Sequence, residues 1–201
     1  SAASDPSIGI SIDEVSIGRA GASSLAFLDV NRVEILRGPQ GTLYGRNASG
    51  GALNVYTNAP VFDNEGRITV RAGSFDGYGA DGMYNAQLGE NSAVRFAAQY
   101  STNEGYAEYA PTGQGLEGGT QWGARAQFLT EAGNWSFLAG LDYANDDMDG
   151  HARIPVTTGS TAPAFVTLIN GLRTGLDIRQ SFSSPDNYQE RTNYGATFRA
   201  E

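Results

Sequence analysis

Read for the spacing of apolar and polar positions, the chain divides near Pro60. Beyond that point six stretches alternate with a period of two, the spacing of strands whose successive side chains face opposite sides. RITVRAG (67–73) sets Ile68, Val70 and Ala72 against Arg67, Thr69 and Arg71. YGADGMYNAQL (78–88) sets Tyr78, Ala80, Tyr84, Ala86 and Leu88 against Asp81, Asn85 and Gln87. AVRFAAQY (93–100) sets Val94, Phe96, Ala98 and Tyr100 against Arg95 and Gln99. QWGARAQFLT (121–130) sets Trp122, Ala124, Ala126 and Phe128 against Gln121, Arg125 and Gln127. WSFLAGLDY (135–143) and NYGATFR (193–199) repeat the pattern, with Trp135, Phe137, Leu141, Tyr143, Tyr194 and Phe198 on their apolar faces.

The connections alternate in length. GENS (89–92) and EAGN (131–134) are short, whereas 103–118 and about 145–188 are long. SFDGYG (74–79) is the exception, short although it falls at the long-loop end. Two architectures produce such strands. A sandwich buries the apolar faces and wets the polar ones. A transmembrane barrel turns the apolar faces to lipid and keeps a polar lumen, with aromatics near strand ends and long loops on one side. The loop asymmetry and the terminal aromatics favour the barrel.

Before Pro60 the pattern is irregular. IGISI (8–12) reads as a strand, Asp13-Glu14 as a turn and Val15–Ile17 as a return strand. Asp29 is expected to cap a single helical turn ahead of a strand across Val33–Leu36. ALNVYT (52–57) is a further strand, closed by Asn58-Ala59-Pro60, because a residue before proline is pushed out of helical geometry. Between Leu36 and Ala52 lies RGPQGTLYGRNASGG. A phosphate loop would need a Lys followed by Ser or Thr after its last glycine, and the stretch contains no Lys. A dinucleotide fingerprint would need G-x-G-x-x-G opening a long helix, and neither is present. An NTP-binding enzyme is therefore not the reading.

Composition narrows the rest. The 201 residues include 27 Gly, no Cys and one His, with a net charge of −9. Disulfides and a Cys/His zinc site cannot be built, and the acidic balance lacks the basic footprint of nucleic-acid binding. No run reaches the roughly 18 apolar residues of a transmembrane helix, which leaves membrane-spanning strands untouched. SAASDPSIGI has no signal-peptide pattern, and ATFRAE stops inside an alternating strand, so both ends are expected to be cut.

VEILRGPQGTLYGRNASGGALNVYTNAP (33–60) closely resembles the plug segment of TonB-dependent outer-membrane receptors. IGISIDEVSIGR resembles the strand pair of the same plug that ends in an Asp-Gly turn; Glu14 replaces that Gly, a departure bearing on the turn type. The specific resemblance covers about residues 8–60, and the remainder resembles the opening barrel strands by pattern. It implies a mainly β chain, with residues 1–60 the C-terminal part of a small mixed α/β plug. Residues 61–201 would then be about six antiparallel strands of a transmembrane β-barrel of about 22 strands.

The function implied is energy-coupled uptake, without enzyme chemistry or a cofactor, of a scarce solute such as a ferric siderophore, cobalamin, haem or a glycan. The implied location is the bacterial outer membrane. The implied partners are outer-membrane lipid, the small-molecule ligand, and TonB with its inner-membrane energising complex, engaged through a segment upstream. Arg37, Gly38, Pro39, Gly41, Tyr44, Gly45, Arg46, Gly50 and Gly51 carry the plug motif, as architecture and gating. Arg37 and Arg46 are candidate tethers to wall carboxylates, with the partners expected on later strands. Tyr106 and Tyr109 are candidate ligand contacts in the 103–118 loop, where ordinary loop packing is the competing reading.

Other features carry less. His151 stands in the long loop with no nucleophile elbow nearby and reads as solvated. NDDMDG (145–150) opens like a calcium loop, but Val156 occupies the position of the bidentate Glu, so acidic loop decoration competes with loose calcium binding. Asn47-Ala-Ser49 and Asn134-Trp-Ser136 match the glycosylation pattern, read as coincidence in a bacterial protein. The alternative to the receptor is a soluble secreted β-sandwich that binds glycans. Six strands alone would leave two open edges and an apolar face without lipid, so the isolated chain is expected to aggregate or need detergent.

Overall fold

The structure is a computed structural model describing residues 8–17, 27–39, 41, 49–149, 180–181 and 188–201. Four strands form an N-terminal sheet: β1 (Ile8–Ile12), β2 (Val15–Ile17), β3 (Val30–Arg37) and β4 (Gly51–Thr57). Their order is β2-β1-β4-β3. β1 runs antiparallel to β2 and parallel to β4, and β3 pairs antiparallel with β4. Ser11 donates to Asn54 Oδ1 at 2.8 Å between the two central strands, so the polar pair buried there is satisfied.

The β1–β2 hairpin turns on Asp13 and Glu14 at φ 47° and 71°. Positive φ at both central residues is the type I′ geometry that matches strand twist. The turn type therefore survives the loss of glycine, with Glu14 held in a left-handed conformation that L residues adopt at a cost. Asp13 explains how the turn is kept. Its carboxylate accepts from the Thr57 backbone N–H at 2.8 Å and from the Thr57 hydroxyl at 2.7 Å.

The expected helical turn at Asp29 is absent. Residues 27–29 form a turn with Asp29 at φ 53°, and β3 begins at Val30. Asp29 is drawn away from a capping role by long-range partners that no local rule contains. At the other end of β3, Gly38 at φ 86° and Pro39 stop the strand. Gly51 sits at φ 148°, and a Cβ there would overlap the Leu36 carbonyl oxygen, so this position admits only glycine.

The second sheet holds the six alternating stretches: β5 (Glu65–Ala72), β6 (Tyr78–Gln87), β7 (Ser92–Asn103), β10 (Gly119–Ala132), β11 (Trp135–Met148) and β13 (Gln189–Ala200). All neighbours pair antiparallel in the order β13-β11-β10-β7-β6-β5. Four of these strands, β7, β10, β11 and β13, run longer than the apolar alternation marks, because pairing continues into polar residues at the long-loop end. The 103–118 loop carries a hairpin of β8 (Ala107–Tyr109) and β9 (Gln114–Leu116), beside which β12 (Gln180–Ser181) pairs parallel to β8. Ala107 and Leu116 are buried in this hairpin. The short 74–79 connection is a tight turn, with Phe75 and Asp76 at positive φ and Gly73 donating to the Gly77 carbonyl at 2.8 Å.

Burial along the long sheet runs opposite to that of a soluble sandwich. The apolar face is bare: Ile68 is 83% exposed and Tyr194 84%, with Val70, Tyr84, Phe96, Trp122, Leu141 and Phe198 exposed beside them. The polar face is the covered one, with Asn85, Arg95, Arg125 and Asp146 all buried.

Candidate functional site: the seat of the N-terminal sheet on the wall

Register places Glu65 of β5 opposite Asn85 of β6, and Asn85 opposite Arg95 of β7. These three residues form one cross-strand row on the polar face: Asn85 engages the segment leaving the N-terminal sheet, Arg95 engages Asp29, and Glu65 engages Arg95. Asn85 is fully buried. Its amide nitrogen donates to the Val61 and Asp63 carbonyls, both at 2.7 Å, and its oxygen accepts from the Val61 N–H at 3.0 Å. One side chain thereby satisfies three backbone groups of the segment that joins the two sheets.

Arg95 is the centre of the seat. Its Nε and Nη2 donate to the two Asp29 carboxylate oxygens at 2.5 and 2.8 Å, and its Nη1 donates to Glu65 at 2.7 Å. Both Arg95 and Asp29 side chains are 4% exposed, while Glu65 is half-exposed. A fork-to-fork pair of this kind fixes orientation as well as distance. Asp29 is completed by Asn58, which donates to its carboxylate at 2.9 Å and, through both its side chain and its backbone N–H, to its carbonyl. Burial by itself would raise the Asp29 carboxyl. The hydrogen bonds from Arg95 and Asn58, with the Arg95 and Arg67 charges, hold it below its ordinary value of 3.8.

Leu28, the neighbour of Asp29, is buried with Ala97 of β7 and Ala144 of β11. β10 runs between those two strands and offers Gly123 at that level, so the wall is lined with small residues where the leucine enters. Arg125 of β10 donates to the Leu28 carbonyl at 3.3 Å and faces Asp142 of β11 at 3.9 Å. The contact farther along is looser. A cleft of about 280 Å³ separates the β1–β2 hairpin from the wall, lined by Ile12, Val15, Arg125, Asp142, Asn193 and Thr197 among others.

The described motif residues lie away from this seat. Arg37 is exposed at the end of β3, and no ion pair joins it to another described residue. Gly38, Pro39, Gly50 and Gly51 shape the loop that leaves β3 and enters β4; Gly41 is also described, with open space around it. Tyr44, Gly45 and Arg46 lie outside the described residues, as do His151 and Val156. Tyr106 is exposed just ahead of β8, and Tyr109 closes it opposite Gln114. The seat residues Asp29, Asn85, Arg95 and Arg125 were recognised only as a cap or as polar-face members. Their available signal was an Asn or Arg held repeatedly on the polar face of a strand, a position that requires a buried partner or water.

A sheet seated on the polar face of an antiparallel wall whose other face is apolar and bare defines the wall of a plugged β-barrel. Residues 3–52 match the family described as the TonB-dependent Receptor Plug Domain. The N-terminal sheet, as far as the start of β4, is thus similar to a plug domain, and it rests against the wall strands. Among solved structures it is similar to the ferric yersiniabactin uptake receptor FyuA from Yersinia pestis, with TM-score 0.77 and 20% identity over 98% of this chain and 29% of that one. The open form of the ferric-catecholate import receptor Fiu from E. coli K12 follows, with TM-score 0.75 and 20% identity over 98% and 29%. The siderophore receptor PiuA from Acinetobacter baumannii gives TM-score 0.72 and 15% identity over 94% and 26%. At these identities the likeness establishes the fold, and the chain spans under a third of the length of each of these receptors.

Proposed function

We propose that the chain is the C-terminal part of the plug and the first six wall strands of an outer-membrane receptor that takes up a ferric siderophore, energised through TonB. The observation that carries this reading is the inverted burial of the wall. A face holding Ile68, Val70, Leu141 and Phe198 open to its surroundings needs lipid, while the covered polar face suits a lumen. The dimensions support it. Trp122 and Trp135 mark the two ends of that face, and Trp135 pairs with Ala132, about ten residues along β10 from Trp122. At about 3.4 Å per residue and a tilt of about 40°, that spans about 26 Å, against an apolar band of about 25 Å. Aromatic pairs stand at both ends: Trp122 with Tyr143 at 4.9 Å, and Trp135–Phe137–Phe198 stacked at 6.3 Å.

A soluble glycan-binding sandwich would bury this face, so the same observation weighs against it. The siderophore class is supported by the receptors of the same fold, which carry ferric chelates by their descriptions. The test is radioactive-iron uptake by cells carrying the whole receptor gene, supplied in turn with ferric catecholate, hydroxamate and mixed-donor chelates, with and without TonB. TonB-dependent accumulation of one chelate class is expected. Recovery of the protein only in the soluble fraction, or no TonB-dependent uptake of any chelate, would overturn the proposal.

A further inference from the structure

We draw no further inference here: the strongest candidate, the trough of about 560 Å³ on the bare face of the wall where Gly82, Ala98 and Ala124 lie among Tyr84, Phe96 and Tyr143, is an unpartnered apolar surface, and nothing in the structure shows what covers it.

Discussion

Asp29→Asn isolates the electrostatic part of the seat. The substitution keeps the shape of the side chain and one acceptor oxygen but removes its charge. Arg95, 4% exposed, is left with a single carboxylate, that of half-exposed Glu65. Two charge-assisted hydrogen bonds, at 2.5 and 2.8 Å, are lost or weakened. Breaking a buried pair from one side costs about 3–5 kcal/mol, and the surviving Glu65 bond and amide acceptor bring the expected loss to about 2–3 kcal/mol. The assay is a urea titration of the whole receptor in detergent micelles, with a fluorophore on Val33→Cys reporting departure of the plug from the wall. The plug midpoint is expected to fall at neutral pH. The folded carboxyl titrates below its ordinary value of 3.8, so its charge contributes stability that is present above that value. The contribution is lost as the pH falls through the lower folded value, and there the variant and parent converge. Equal midpoints at neutral pH, or a gap that stays undiminished through the acid range, would refute the reasoning.

The remaining expectations follow from single positions. Glu14→Gly relieves a left-handed residue at φ 71° and is expected to stabilise the plug by about 0.5–1 kcal/mol in the same titration. Gly51→Ala forces a Cβ into the Leu36 carbonyl and is expected to cost more than about 3 kcal/mol, read as loss of protease resistance in the plug. Asn85→Ala strands three backbone groups and is expected to cost about 2–3 kcal/mol, visible as faster amide exchange at Val61. If the bare apolar face meets lipid as proposed, Leu141→Arg on that face is expected to destabilise the whole receptor in lipid vesicles by about 2–4 kcal/mol, whereas Gln127→Arg, lining the inner cleft, is expected to be tolerated.

The wall was legible because its signal is local and periodic. Alternation located all six strands within a few residues, since each side chain's face follows from its parity along the strand. The ends were less legible: β11 continues through Asp146 and Asp147, paired with Gln121 and Thr120 of β10, because cross-strand hydrogen bonding persists where the apolar pattern has stopped. The plug strands and the glycine positions followed from turn chemistry and from the resemblance of one ordered motif. Asp29 shows where this reasoning ends. Locally it is a good helix cap, yet the residue that decides its conformation, Arg95, lies 66 positions away.

What the sequence determined by itself was the six wall strands with their two faces, the strands of the N-terminal sheet, and the resemblance carried by the loop between β3 and β4; β8, β9 and β12 fall in stretches read as loops. Which face is covered needed the tertiary structure, because alternation is identical in a sandwich and in a barrel wall and only burial shows the polar face covered and the apolar face bare. The seat needed it as well. Glu65, Asn85 and Arg95 become neighbours only through register, and one residue of slippage would turn all three to the opposite face. Beside the plug arginines expected to seek carboxylates on later strands, the described seat uses the other polarity, with the Arg95 guanidinium of β7 holding the Asp29 carboxylate. A buried charge takes its partner from whatever the fold places within hydrogen-bonding distance, and that distance is set by pairing across the sheet rather than by order along the chain.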